Sequence, residues 1–171
     1  MQKYYIPMTT SDFIIREVKP QDNKALATVI RTVLEEFGVP KVGTAYEDQA
    51  TDEMFETYQS PRAKYFVIEH QGSVVGGAGI APLEDHQDDV CELQKMYFLP
   101  ITRGKGLGTK LIQHCLQLAK EIGFTACYLE TMPYMDAARK LYAKNGFQNL
   151  DSPMGNTGHY SCNVWMLKSL D

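Results

Sequence analysis

The sequence lacks the features that define several large classes of protein. Its four cysteines are far apart and form no C-x-x-C pair, so neither a zinc site nor a disulfide framework is indicated. No apolar run approaches the ~18 residues of a membrane span, and residues 1–7 lack the apolar core of a secretory signal. The sequence therefore predicts a cytoplasmic protein with no metal site and no membrane partner.

A strong charge of one sign is also missing. The chain has 17 basic and 21 acidic residues, which gives a formal net charge of −4 and a pI near 5.6. Such a weak charge provides no global field for nucleic acid, so nucleic acid is not an expected partner. The length of 171 residues and the 44% hydrophobic content suit a single domain over residues 1–171, with residues 1–12 as an N-terminal extension.

Hydrophobic periodicity predicts a mixed order of strands and helices. Helices are expected from Asp22 to Phe37 and at 51–58, 107–122 and 134–144. Strands are expected at 13–18, 65–69, 74–80, 90–99, 126–130, 147–150 and 160–167. The glycines inside 74–80 suggest a bulge or the close approach of another group. This order is neither a strict βαβ array nor all-β, and it contains no internal repeat.

The most informative motif is a glycine-rich turn between the predicted strand 90–99 and the predicted helix 107–122. It reads Arg103-Gly104-Lys105-Gly106-Leu107-Gly108. Backbone N–H groups of glycines can converge on an anion at a helix N-terminus, so the turn predicts a pyrophosphate-bearing ligand. No window has P-loop spacing, and Thr109 or Leu111 stands where a dinucleotide fingerprint needs its third glycine.

The spacing R-x-x-G-x-G in this turn resembles the coenzyme A loop of the GNAT N-acetyltransferase family. Residues 92–100 before it resemble the family's fourth strand, and Ala138-x-x-Leu141-Tyr142-x-x-x-Gly146-Phe147 resembles its closing helix and strand. The resemblance implies a mixed α/β fold with a mostly antiparallel sheet of about seven strands, splayed between the fourth and fifth, and about four flanking helices. Acetyl-CoA would occupy the gap. Met135 departs from the family, whose members often carry asparagine there.

The same resemblance assigns the donor site. Backbone groups near Met96 and Phe98 would hold the pantetheine arm, amides from Gly104 to Thr109 would hold the pyrophosphate, and Arg103 or Lys105 would supply positive charge. The residues expected to bind acetyl-CoA are Met96, Tyr97, Phe98, Arg103, Gly104, Lys105, Gly106, Leu107, Gly108 and Thr109.

Acyl transfer to an amine needs a neutral nucleophile and a proton for the departing thiolate. Tyr142 is the expected general acid, at the position where the family has a tyrosine facing the coenzyme sulfur. Glu92 is the first choice for the general base, in alternation along its strand with Gln94, Met96 and Phe98. Glu130 or a water chain remains an alternative base. The four cysteines lie outside both motifs, which favours direct transfer.

The acceptor is predicted less closely than the donor. The loops at 39–50, 84–89 and 151–158 would frame it, with His159, Tyr46 and Glu36 as possible contacts. Acidic residues in these loops favour a cationic acceptor, so a small primary amine or an amino-acid-like molecule is expected. A protein-lysine or N-terminal acetyltransferase and a non-catalytic acyl-CoA-binding domain are the alternatives, although a mere binder has no need for Tyr142. A homodimer is expected.

Overall fold

The computed structural model describes residues 8–10 and 12–171, which form a mixed sheet with helices on both faces. The strands are β1 Met8–Thr10, β2 Phe13–Glu17, β3 Lys64–His70, β4 Ser73–Pro82, β5 Val90–Phe98, β6 Ala126–Thr131, β7 Gln148–Leu150 and β8 Val164–Ser169. The helices are α1 Asn23–Glu36, α2 Met54–Thr57, α3 Leu107–Ile122 and α4 Asp136–Lys144. The predicted fold class is confirmed.

The helices pack on the sheet through the apolar stripes that the sequence predicts. Leu26, Ile30 and Leu34 of α1 are buried with α2 on one face. Apolar residues of α3 and α4 are buried on the other face. Gly123 ends α3 in the left-handed conformation, as expected of a helix terminator. Within the described part of the chain, no helix is long and apolar enough to cross a lipid bilayer.

Two predicted elements are shorter than expected because loop contacts replace them. The predicted helix 51–58 is shortened to α2, Met54–Thr57. Residues 49–51 before it form a 3₁₀ turn, in which the Thr51 hydroxyl donates to the Ala45 carbonyl at 2.6 Å. The predicted strand 160–167 begins only at Val164. Ser161 lies outside the sheet because its backbone N–H donates to the Gly43 carbonyl at 3.2 Å.

The sheet is open at its centre. Its strand order is β1-β2-β3-β4-β5-β6-β8-β7, and neighbouring strands are antiparallel except for β5 and β6. These two pair in parallel only from Val90 to Glu92 against Ala126 to Tyr128, after which they separate. Strand β1 lies within the predicted extension of residues 1–12 and pairs with β2. The predicted gap between fourth and fifth strands is therefore the gap between β5 and β6.

A β-bulge in β5 shapes one side of the gap. Gly77 of β4 pairs with Tyr97 and Gly79 pairs with Gln94, so β5 carries one extra residue there, and Lys95 has a φ of 47°. The bulge reverses the alternation of side chains. Met96 and Phe98 pack on the α3 face, whereas Tyr97 packs on the α1 face.

The expectation that Glu92, Gln94, Met96 and Phe98 share one face is therefore wrong. Glu92 and Gln94 hydrogen-bond to each other on the α1 side, and the extra residue at the bulge turns Met96 and Phe98 to the opposite side. The glycines of β4 do mark a close approach, as predicted. A Cβ atom on Gly77 would lie 2.6 Å from the Tyr65 ring, and the Tyr65 hydroxyl donates to the Lys95 carbonyl at 2.6 Å.

Candidate active site

The glycine turn between β5 and α3 has two kinds of glycine. Gly104 and Gly106 have φ values of 70° and 72°, which L side chains rarely adopt. Gly108 is required for packing instead, because a Cβ atom there would lie 2.9 Å from Leu141 Cδ2 of α4. The turn therefore leaves the first backbone N–H groups of α3 open at a helix N-terminus, which fits a pyrophosphate group.

A cavity of about 330 Å³ runs from this turn into the gap of the sheet. All but one of the predicted donor-site residues line it, together with residues of α1 and α4. Those predicted residues are Met96, Tyr97, Phe98, Arg103, Gly104, Gly106, Leu107, Gly108 and Thr109. The exception is Lys105, which is exposed and whose Nζ lies 6.0 Å from the centre of the Phe13 ring.

Arg103 has a different partner from the one that the sequence suggests. Its guanidinium forms a bidentate ion pair with Glu36 at 2.6 and 2.8 Å, and it also donates to the Phe98 carbonyl at 2.8 and 3.1 Å. Arg103 thus ties the end of β5 to the C-terminus of α1. The expectation that Glu36 frames the acceptor is wrong, because the direction of α1 brings Glu36 to the donor end of the site.

Tyr142 of α4 lies where two cavities meet. Its side chain is buried and lines both the 330 Å³ cavity, which is the candidate donor cavity, and a smaller cavity of about 50 Å³ inside the gap of the sheet. Met96, Tyr97 and Met135 line both cavities as well. Burial raises the pKa of Tyr142, so its hydroxyl keeps its proton at neutral pH and can donate it.

Glu92 is a buried carboxyl on β5 with 5% of its surface exposed. Burial raises its pKa to about 7, and a hydrogen bond of 2.7 Å from Gln94 Nε2 to Glu92 Oε2 offsets part of that effect. The Tyr58 hydroxyl donates to Gln94 Oε1 at 2.7 Å and thereby orients the amide group. The alternation along β5 could have indicated Gln94, whereas no local signal identifies Tyr58.

Glu130 of β6 is held by two neutral donors. The Tyr128 hydroxyl donates to Glu130 Oε1 and the Thr157 hydroxyl donates to Glu130 Oε2, both at 2.7 Å. Glu130 lines the 50 Å³ cavity. It also lines a cavity of about 300 Å³ that is formed mainly by residues 153–165, the outer cavity. The carboxyl group therefore lies between the outer cavity and the cavity that Tyr142 lines.

A charged cluster closes the α1 side of the gap. Asp48 Oδ2 accepts hydrogen bonds from Lys95 Nζ at 2.8 Å and from His159 Nε2 at 2.7 Å. Burial alone would raise the pKa of Asp48, but His159 and Lys95 outweigh it and lower the pKa to about 2. The sequence pattern does not predict Asp48 or Lys95 as site residues. His159 lines the outer cavity, and its hydrogen bond to Asp48 joins two loops.

Tyr46 does not lie at the acceptor side. Its hydroxyl donates to Glu35 Oε1 at 2.6 Å and accepts from Lys41 Nζ at 2.9 Å on the exposed side of α1. The expectation of a substrate contact from Tyr46 is therefore wrong.

The cysteines divide into two groups. Cys91, Cys115 and Cys127 are buried in the core. Cys162 is half-buried in a loop and lines both the 50 Å³ and the outer cavity. Burial raises the pKa of its thiol to about 12, so it is a weak nucleophile at neutral pH. Among the residues that the structure describes, no group of three or more His, Cys, Asp or Glu could hold a metal ion.

The fold is similar to that of several solved acetyltransferase structures. A GNAT acetyltransferase from Staphylococcus aureus Mu50 has a TM-score of 0.81 and 21% identity, covering 93% of this chain and 99% of that one. The PaiA N-acetyltransferase from Thermoplasma acidophilum, solved in complex with coenzyme A, has a TM-score of 0.73 and 18% identity, covering 92% and 98% of the two chains. At these identities the likeness shows the fold.

Sequence comparison gives the family. Residues 29–147 match the model of the acetyltransferase (GNAT) family. The uncharacterized N-acetyltransferase YjgM of Escherichia coli (strain K12) is 46% identical over 158 residues, which cover 92% of this chain and 95% of that protein. The chain belongs to the GNAT family of acetyltransferases, and the predicted enzyme class, an N-acetyltransferase, is confirmed.

Proposed function

We propose that the protein is an acetyl-CoA-dependent N-acetyltransferase that transfers the acetyl group directly to the primary amine of a small molecule. The observation that carries this proposal is the position of Tyr142, which lines both the donor cavity and the cavity inside the gap. A donor on one side of its phenol and an amine on the other would meet there. The complex of the Thermoplasma relative with coenzyme A supports the choice of donor.

The glycine turn suits the pyrophosphate of coenzyme A. Gly104 and Gly106 have positive φ and line the cavity, so backbone N–H groups of the turn and of the first turn of α3 would bind the pyrophosphate there, where the helix dipole adds positive potential. Arg103 stabilises the turn through Glu36 and need not contact the ligand. When bound, acetyl-CoA supplies the acetyl group as a thioester.

Glu92 and Tyr142 would share the proton chemistry. With a pKa of about 7, Glu92 is partly ionised at neutral pH. It is not among the residues that line the three cavities, so it would take the proton of the entering ammonium through water. Tyr142 would donate its hydroxyl proton to the departing thiolate. Cys162 does not suit a covalent step because its thiol stays protonated at neutral pH.

The test is amine-dependent release of thiol from acetyl-CoA, with the acetylated amine identified by mass spectrometry. Tyr142→Phe should lower kcat by about 100-fold, the scale of a lost general acid, and leave the affinity for coenzyme A unchanged. Tyr46→Phe removes a hydroxyl from the exposed side of α1 and is the matched control, with unchanged kcat.

Two results would contradict parts of this proposal. Binding of acetyl-CoA without release of thiol, over a broad panel of amines, would favour a non-catalytic acyl-CoA-binding domain. Full activity of Tyr142→Phe would remove only the assignment of the acid.

A further inference from the structure

We propose that the outer cavity formed by residues 153–165 is the acceptor site, and that it selects amines without a neighbouring carboxylate by binding their ammonium group to Glu130. This inference rests on the proposed function and narrows its acceptor class. It favours a small apolar or aromatic amine over an amino acid.

The position of the outer cavity supports this assignment. It shares Glu130 and Cys162 with the 50 Å³ cavity, which in turn shares Tyr142 with the donor cavity. The three cavities therefore follow one another from the outer surface to the glycine turn. An amine that enters from the outside passes the Glu130 carboxylate before it reaches Tyr142.

Charge at the outer cavity favours a cation. Glu130 accepts from two neutral hydroxyl groups, which leaves further lone pairs of its carboxylate for a ligand. None of the ion pairs between described residues includes Glu130. The ammonium group of a ligand would donate a charge-assisted hydrogen bond to the half-buried Glu130 carboxylate and balance its charge.

The same surroundings disfavour an acceptor with its own carboxylate. The described lining of the outer cavity includes no lysine or arginine. Two basic side chains lie nearby, His159 in the outer cavity and Lys95 in the 50 Å³ cavity, but both are already paired with Asp48, at 2.7 and 2.8 Å. A carboxylate next to the reacting amine would therefore lie near Glu130 without a cation to bind it, and burial of such an unpaired charge is costly.

The walls of the outer cavity are preformed and partly aromatic. Ser161 joins the loop to residues 42–43 through its backbone N–H and its hydroxyl, at 3.2 and 3.0 Å. The Asn156 N–H donates to the Glu84 carbonyl at 2.9 Å. Trp165 and the largely exposed Tyr160 line the cavity and offer apolar surface to the body of an acceptor.

Matched pairs of acceptors test the proposal on the unaltered protein. Phenethylamine would be compared with phenylalanine, and tyramine with tyrosine, by kcat/KM at saturating acetyl-CoA and by equilibrium binding in the presence of coenzyme A. We expect the amine of each pair to have at least a tenfold higher kcat/KM. Equal or better use of the amino acids would overturn this inference while leaving the proposed function intact.

Substitution of Glu130 provides the second arm. Glu130→Gln should lower kcat/KM for the amines about tenfold, reduce their advantage over the amino acids, and leave KM for acetyl-CoA unchanged. Glu53→Gln, which removes a charge from an exposed position, should change none of these values. An unchanged amine preference in Glu130→Gln would overturn the role of Glu130. Absence of turnover with every amine would overturn the proposed function and this inference together.

Discussion

Glu92 should make the folded protein less stable as the pH rises toward neutrality. Burial raises its pKa from 4.5 to about 7, whereas in the unfolded chain the carboxyl loses its proton near 4.5. Between these values the folded state binds more protons than the unfolded state. The stability that Glu92 contributes is therefore complete below about pH 4.5 and is lost as the pH rises to about 7. At ~1.4 kcal/mol per pKa unit, the loss is about 3 kcal/mol.

Replacement of Glu92 by glutamine separates the effect of Glu92 ionisation on stability from its effect on catalysis. Glutamine has nearly the same shape, carries no charge, and its amide oxygen can still accept from Gln94 Nε2. We expect Glu92→Gln and the parent to have similar free energies of unfolding at pH 5. At pH 8 the variant should be more stable by about 3 kcal/mol, while its kcat falls by about 100-fold. Urea unfolding at both pH values measures the first effect and amine-dependent thiol release the second.

Glu53→Gln is the control for this experiment, because an exposed glutamate should contribute less than ~0.5 kcal/mol at either pH. Equal destabilisation of Glu92→Gln at pH 5 and pH 8 would refute the idea that the ionised carboxylate is costly. A gain in stability with unchanged kcat would show that Glu92 is not the base, and would leave Glu130 or a water chain for that role.

Three other changes test the charged cluster, the glycine turn and the route of transfer. His159 and Lys95 lower the pKa of Asp48 from 3.8 to about 2. The stability that this pairing contributes is present above pH 3.8 and is lost as the pH falls toward 2. Asp48→Asn should therefore lower the free energy of unfolding by about 2 kcal/mol, measured by urea unfolding at pH 7. Gly104→Ala should lower the free energy of unfolding by about 1 kcal/mol, because alanine is strained at the positive φ of this position. The same substitution should weaken the binding of coenzyme A measured by calorimetry. An unchanged affinity would contradict the role of the glycine turn. Cys162→Ser should keep kcat within about threefold, with no acetylated enzyme in intact mass spectra of the parent; such an adduct would contradict direct transfer.

The sequence predicts the donor half of the site better than the acceptor half. The donor residues lie within one short segment, so their spacing along the chain determines their spacing at the ligand. The acceptor side depends on contacts between remote loops, such as Asp48 with His159, and isolated charges in loops look the same whether they are solvated or paired. For Lys95 a local signal was available. Strict alternation along β5 would place Lys95 on the same face as the buried Leu93, where a lysine needs a partner or a bulge.

The bulge at Lys95 connects the fold to the chemistry. Because of the extra residue, the side chains of Gln94 and Lys95 both lie on the α1 side of the sheet. There Gln94 hydrogen-bonds to Glu92 and Lys95 forms an ion pair with Asp48. Without it, strict alternation would place Lys95 among the apolar residues that pack on α3, where its charge would be unpaired. The two carboxyl groups then have opposite environments within one site. Asp48 is paired and stays ionised, whereas Glu92 is desolvated and exchanges its proton near neutral pH, which suits the role of general base proposed for it.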